Sequence, residues 1–313
     1  MDPKNVKKAM VVGAGVMGHS IAQVFAQSGI EVDLVDLNDQ ALEHAMELIR
    51  ANLETLAEYG SITADEISTI TSRIHPVTEL STAADGCDFV LEAVAEVPDV
   101  KKKIFAQLNE CCPKDTVLAS NTSGLDVFGI VEIDNPERLV ITHWFAPPHI
   151  IPLVEVVPGP QTSVQVVTFA AELMKSLGKE PIIMKQFVPS FIVNRIQNMI
   201  GMTVMEIINN GWAAPEDIDK AVKYTLGIRL PIIGVVQTLD FTGLNLVYDV
   251  MKNLGLSNAL IEEKVNSNQL GVKSSKGIYD YNGRSEEEIL KKRDLMFLKT
   301  IDHLQNIKGF EPV

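Results

Sequence analysis

Gly13-Ala14-Gly15-Val16-Met17-Gly18 follows the apolar run KAMVV (Lys8–Val12) and opens onto a stretch with Ile21, Val24 and Phe25 at helical spacing. No other feature restricts the chain so strongly. Three glycines in this pattern occur by chance elsewhere, but here they stand between a predicted strand and a predicted helix that Gly29 can close. Asp36 lies 18 positions after Gly18, at the end of the next apolar run, Val32–Val35. Gly13 permits a tight turn, Gly15 lets a pyrophosphate approach the backbone, and Gly18 lets helix and strand pack closely. The pyrophosphate would then meet a helix N-terminus, where free N–H groups and the helix dipole favour an anion. The competing reading is a glycine turn in a nucleotide-free sheet protein, with Asp36 simply solvated. Strand, helix and acid together favour the nucleotide.

Asp36 also discriminates between cofactors. Its carboxylate can accept both ribose hydroxyls of NAD and would repel the 2′-phosphate of NADP. The residues that follow, Leu37-Asn38-Asp39, supply no Arg or Lys to offset that repulsion. The expected cofactor is NAD, on Gly13, Gly15, Val16, Met17, Gly18 and Asp36.

Further along, Phe89–Ala93, Thr116–Ala119, Leu139–Thr142 and Leu153–Val157 read as strands, and Gln40–Tyr59 and Lys101–Asn109 as helices. Leu42, Met46, Ile49, Leu53 and Leu56 line one side of the first of these helices. Strands separated by helices predict a Rossmann-type α/β doubly wound, mainly parallel sheet with helices on both faces. The pattern changes after Pro181–Met184. From Phe191 onward the segments are helical, interrupted by Gly211, Pro215, Gly227, Pro231, Gly243 and Gly255, and residues 285–304 read as a last charged helix. The predicted division is a nucleotide-binding domain over 1–188 and an all-α domain over 189–313.

The chain has 313 residues with 27 Lys and Arg against 41 Asp and Glu, a net charge of −14. Such acidity disfavours nucleic acid and anionic lipid, which need clustered cations. Cys87, Cys111 and Cys112 make no disulfide framework and lack metal-ligand spacing, so a metal is not expected and a reducing, cytoplasmic setting is. No window reaches about 18 uninterrupted apolar residues, so no membrane span is expected. The start shows no secretory signal pattern.

Reactive side chains fall at strand ends: Asn121 and Ser123 after TVLAS, His143 after LVIT, and Glu155 in LVEVV. In a doubly wound sheet the ligand crevice lies beyond the carboxyl ends of the strands. Hydride transfer from an alcohol needs a base for the hydroxyl proton, and a histidine whose tautomer is fixed by a carboxylate suits that task. His143 and Glu155 can form such a dyad, with Ser123 on the reacting oxygen. Each is also open to a plainer reading: a lone structural histidine, and an acid on a strand edge facing water. His19 is expected to face out of its helix, and His44, His75, His149 and His303 show no partner pattern. Met199, Met202 and Met205 read as core packing, and Lys101-Lys102-Lys103 as a solvated helix face.

VVGAGVMGHSIAQVFAQSG, FVLEAVAEVPDVKKKIF, LASNTSG, HWFAPPHIIPLVEVV, FIVNRI and GVKSSKGIYDY occur in an order and spacing that resemble the L-3-hydroxyacyl-CoA dehydrogenase family over nearly the full length. The resemblance implies an NAD-dependent oxidoreductase that oxidises the C3 hydroxyl of an L-3-hydroxyacyl substrate to the 3-oxo compound. It implies His143 as general base, Glu155 as its partner, and Ser123 and Asn194 as polar contacts around the substrate oxygen. It also implies Glu96, Lys101 and Asn121 near the cofactor, and a homodimer formed through the helical domain. Four departures from the family pattern stand out: Ala146 for Asn, Gly124 for Ser, Ser190 for Gly, and the segment Tyr59-Gly60-Ser61 where CoA users carry Lys. The double proline of HWFAPPHIIPLVEVV is similar to relatives acting on free hydroxy compounds, such as gulonate, carnitine and pyridine-carboxylate dehydrogenases. A free hydroxy acid is therefore the alternative substrate. A catalytically idle NAD-binding structural protein, as lens members of the family illustrate, is the alternative of another class.

Overall fold

A computed structural model describes residues 2–311 of the chain. Among them, eight strands form one sheet: β1 Lys8–Val12, β2 Glu31–Val35, β3 Ile74–Val77, β4 Phe89–Glu92, β5 Val117–Ser120, β6 Leu139–Trp144, β7 Leu153–Pro158 and β8 Glu180–Ile183. Their spatial order is β3-β2-β1-β4-β5-β6-β7-β8. Every neighbouring pair is parallel except β6 with β7. Helices α1 Gly18–Gln27, α2 Asp39–Tyr59, α3 Ala64–Thr71, α4 Leu80–Ala83, α5 Pro98–Cys111, α6 Val127–Ile130 and α7 Val164–Ser176 connect or cover the strands. After β8 come α8 Val193–Asn209, α9 Pro215–Lys223, α10 Leu226–Thr242, α11 Leu244–Asn253, α12 Ala259–Asn266 and α13 Glu286–Asn306. The chain is an α/β doubly wound domain followed by an all-α one. It separates into two compact units, Met1–Met199 and Ile200–Val313, with the division inside α8.

The sheet forms because its central strands are continuous apolar runs, the pattern of strands covered on both faces. Every residue of β4, β5 and β6 is buried. Phe25 of α1 stacks on Phe89 of β4 at 5.8 Å and meets Trp144 of β6 at 6.2 Å. On α2, Leu42, Ile49 and Leu53 are buried, with Met46 and Leu56 packed beside them, and Asn38 caps the helix by accepting from the Ala41 N–H.

In the second unit Asp240 of α10 is 1% exposed and accepts from the Ile278 and Tyr279 N–H groups and the Tyr281 hydroxyl. A Cβ at Gly271 or Gly277 would fall 2.2 Å from an Asp240 oxygen. The GVKSSKGIYDY segment is thus wrapped around one buried carboxylate. Helix α10 bends at Gly234, where φ is +63°. Among the described residues no single helix is long and apolar enough to cross a membrane; α10 and α11 pass that test only as a pair bent by 78°.

Several expectations need correction. β3 and α7 are absent from the pattern reading. β3 carries Pro76, which is tolerated because the strand lies at the sheet edge and loses no ladder bond on its outer side. His19 does not face out. It is 8% exposed, and its Nδ1 lies 2.8 Å from the Gly15 carbonyl, within the first turn it helps to close. His149 has a partner in Ser20 Oγ at 2.8 Å, and His75 one in Glu31 at 2.8 Å. Met199, Met202 and Met205 are not core but 60%, 67% and 54% exposed, and α8 buries none of its residues in the single chain. Lys101 is no solvated lysine; it is 1% exposed, whereas Lys102 and Lys103 do face water.

Candidate active site

The nucleotide cradle sits where the strand order reverses, between β1 and β4. The Gly13 N–H donates to the Val35 carbonyl at 2.7 Å, which fastens the turn to β2. Gly13 has φ +100°, and a Cβ there would lie 2.7 Å from the Ala93 carbonyl oxygen; one at Gly18 would lie 1.6 Å from the Gly13 oxygen. A Cβ on Gly15 would meet nothing within 4 Å, so that backbone is open to an approaching ligand. Met17 precedes α1 without capping it by its side chain, and Val16 is 77% exposed. Asp36 accepts from the Ala14 and Leu37 N–H groups, each at 2.7 Å. Gly13, Gly15 and Asp36 border a cavity of about 850 Å3 whose lining also includes Glu79 and Glu110 and no Lys or Arg. That lining suits NAD and offers nothing to a 2′-phosphate.

The second part of the site is built on the one antiparallel pair. His143 and Glu155 stand directly opposite each other in the β6–β7 register, which puts their side chains on the same face. His143 is 3% exposed and Glu155 is fully buried, and Nδ1 lies 2.8 Å from Glu155 Oε2. The other carboxylate oxygen, Oε1, accepts from the Ile192 and Val193 N–H groups at 3.0 Å each, at the start of α8. Burial pushes the Glu155 carboxyl up, but the imidazole and the two N–H groups outweigh it and hold the group below its ordinary value. An ionised Glu155 can only accept, so it favours the tautomer that donates from Nδ1–H and leaves the lone pair on Nε2. Phe145 and Phe191 pack on the imidazole at 4.5 and 5.1 Å.

Ser190 and Phe191, which lead into α8, have φ of +64° and +49°. Two consecutive non-glycine residues in this region cost of order 1–3 kcal/mol each. In return Phe191 reaches the imidazole and two N–H groups reach Glu155.

Asn121 joins the segments: its Oδ1 accepts from the Trp144 N–H at 2.8 Å, next to His143. Asn194 Nδ2 donates to the Ser123 carbonyl at 3.3 Å. Glu96 Oε1 accepts from the Thr122 hydroxyl at 2.6 Å and the Ser123 N–H at 2.8 Å. Lys101 Nζ lies 2.7 Å from Glu92 Oε1 and 3.1 Å from Glu96 Oε2. Burial raises the Glu96 carboxyl, and the Thr122 hydroxyl, Lys101 and the Ser123 N–H together bring it below its ordinary value. His143, Glu155, Ser123, Asn194 and Asn121 therefore belong to one hydrogen-bonded neighbourhood. Glu92, Thr122, Phe191 and Ser190 are additions that sequence reasoning does not single out as parts of it. Glu92 carries a usable signal, a lone acid inside the apolar run FVLEA.

Residues 8–187 match the family model for the NAD-binding domain of 3-hydroxyacyl-CoA dehydrogenase, and residues 191–281 match that for its C-terminal domain. The chain is 30% identical to a 5-formyl-3-hydroxy-2-methylpyridine 4-carboxylate 5-dehydrogenase of Mesorhizobium japonicum, over 88% of this chain and 91% of the relative. It is 35% identical to the 3-hydroxyadipyl-CoA dehydrogenase of Escherichia coli over 90% of its own length, spanning 60% of that longer protein. A solved 3-hydroxyacyl-CoA dehydrogenase from Archaeoglobus fulgidus is 30% identical and superposes with a TM-score of 0.79, covering 97% of this chain and 100% of the other. The cofactor is NAD. With both domains matched in order, the chain belongs to the 3-hydroxyacyl-CoA dehydrogenase family of NAD-dependent oxidoreductases.

Proposed function

We propose that the protein oxidises the C3 hydroxyl of an L-3-hydroxyacyl compound, with His143 as general base. The observation that carries this is the divided use of Glu155. One oxygen is tied to the backbone at the start of α8 and the other to His143 Nδ1, so the imidazole presents an unprotonated Nε2. His143 Nε2 takes the hydroxyl proton, and Glu155 stabilises the imidazolium that results. Bound NAD supplies the acceptor for the C3 hydride. Ser123 and Asn194 hold the reacting oxygen, while Asn121 keeps their loop on the end of β6. Glu96 and Lys101, held together at 3.1 Å, border the cofactor side. Replacing His143 by Gln is expected to lower kcat by about a hundredfold to ten-thousandfold while NAD binding is kept. Turnover near that of the wild type in this variant would refute the role.

The acyl carrier we assign first is CoA, in line with the family. The end of α2 favours a second reading, a free hydroxy acid: Tyr59 is 86% exposed, and Gly60, Ser61 and the Thr63–Glu66 capping box bring no cation there. The relative from Mesorhizobium, named as a dehydrogenase of a pyridine carboxylate, supports it too. Comparing kcat/KM on L-3-hydroxybutyryl-CoA and L-3-hydroxybutyrate decides between the two. A thioester preference above about a hundredfold retains CoA; equal rates or a preference for the acid establish the second reading.

We further assign residues 1–188 to cofactor binding and 189–313 to substrate binding and pairing with a second copy. The exposed apolar residues of α8, Ile196, Met199, Met202 and Met205, support pairing. Sedimentation of the purified chain as a monomer at micromolar concentration would refute it. Three unpaired cysteines support a cytoplasmic location.

A further inference from the structure

Ser190 combines three observations that packing alone does not account for. Its φ of +64° is one that glycine adopts freely and serine does not, so a serine here is not kept for stability. Its hydroxyl has no hydrogen-bond partner among the described residues. It also packs against position 124: a Cβ on Gly124 would lie 3.3 Å from Ser190 N and 3.6 Å from Ser190 Oγ. Gly124 directly follows Ser123. Ser190 is thus brought beside the substrate-oxygen contact by the same turn that lays Phe191 on the His143 imidazole at 5.1 Å.

The neighbouring donors are largely committed. Thr122 gives its hydroxyl to Glu96 at 2.6 Å, and one amide hydrogen of Asn194 goes to the Ser123 carbonyl. An L-3-hydroxyacyl substrate carries oxygens on C3 and on C1, and an oxygen taken from water without a new partner costs binding energy. We propose that Ser190 is a specificity-determining residue whose hydroxyl donates to the C1 oxygen of the substrate, thioester carbonyl or carboxylate, while Ser123 and Asn194 hold the C3 oxygen. This rests on the dehydrogenase reading above and extends it to the second oxygen.

Ser190→Ala removes the hydroxyl and keeps the strained turn; Ser190→Gly removes both. Each is expected to lower kcat/KM for L-3-hydroxybutyryl-CoA or L-3-hydroxybutyrate about fivefold to tenfold, with KM for NAD unchanged. Ser190→Gly should at the same time melt at or above the wild-type temperature, which separates loss of the contact from loss of the fold. Adding Gly124→Ser to Ser190→Gly offers a hydroxyl from the neighbouring position and should restore part of the lost kcat/KM. Both single variants within about twofold of wild type on every substrate the wild type turns over would overturn the proposal. A wild type that reduces NAD with neither substrate removes the dehydrogenase reading, and this proposal with it.

Discussion

Two carboxylates, Glu92 at the end of β4 and Glu155 within β7, are both fully buried and both take backbone N–H groups, yet they are neutralised differently. Glu92 faces Lys101 at 2.7 Å and also receives the Ser120 hydroxyl at 2.6 Å. Glu155 faces His143 at 2.8 Å, the group assigned above as the proton acceptor of the reaction. An ion pair that no proton transfer involves is a static joint, here between β4, α5 and the Glu96 loop. A carboxylate whose partner takes up the substrate proton can follow a reaction, because it stabilises the imidazolium when that forms. The same device, a lone acid on a covered strand, serves architecture in one place and chemistry in the other, according to its partner.

The sharpest way to break this contrast is Glu155→Gln. The amide oxygen can still receive the Ile192 and Val193 N–H groups, so the start of α8 keeps its anchor. The amide nitrogen then faces His143 Nδ1 and donates to it, which moves the imidazole proton to Nε2 and removes the base. A fall in kcat of about a thousandfold to ten-thousandfold is expected, with KM for NAD unchanged. A loss below about tenfold would mean that Glu155 is a structural acid like Glu92.

The corresponding change on the static side is Lys101→Met, read out in stability. It leaves Glu92 buried without a counter-charge and Glu96 without its 3.1 Å contact. Removing one partner of a buried pair costs about 3–5 kcal/mol, measurable by urea unfolding. Adding Glu92→Gln takes away the stranded charge, and the Ser120 hydroxyl can turn from donor to acceptor, so at least half of the loss should return. If the double variant is no more stable than the single one, Lys101 acts through its packing rather than its charge.

Both acids leave the same trace in the sequence, one carboxylate inside an apolar run, FVLEA or LVEVV. Glu155 stands out because a histidine lies at the neighbouring strand end. Glu92 does not, because its partner sits in a run of three lysines that reads as a wetted helix face, and only the fold turns the first of them inward. The glycine loop is legible because steric demands act over six adjacent residues. The Ser20–His149 contact is not, since it joins residues 129 apart through the placement of α1 against the loop after β6. β3 is concealed by Pro76, which is tolerated only at an edge. The methionines of α8 show that periodicity identifies an apolar face but not what covers it: the spacing is regular, and the face is exposed in the single chain. Local steric and periodic rules thus carried the sheet and the cradle, while long-range partners decided the rest of the site.

The smallest expected effect concerns acid. Glu155 holds its carboxyl below the ordinary value of about 4.3 through its imidazole and N–H partners. A carboxyl depressed in the folded state is deprotonated there while the unfolded chain has begun to take up a proton. Its contribution to stability is therefore complete above the unfolded value and is lost as pH falls through the folded one. Wild type and Glu155→Gln should differ in unfolding free energy by a constant amount above about pH 5.5, and the gap should narrow steadily toward about pH 3.5. Curves that stay parallel over that range would mean that the folded carboxyl titrates as it does in the unfolded chain. The dyad would then hold its geometry without depending on the Glu155 charge, and the distinction from the Glu92–Lys101 pair would have to come from the partner alone.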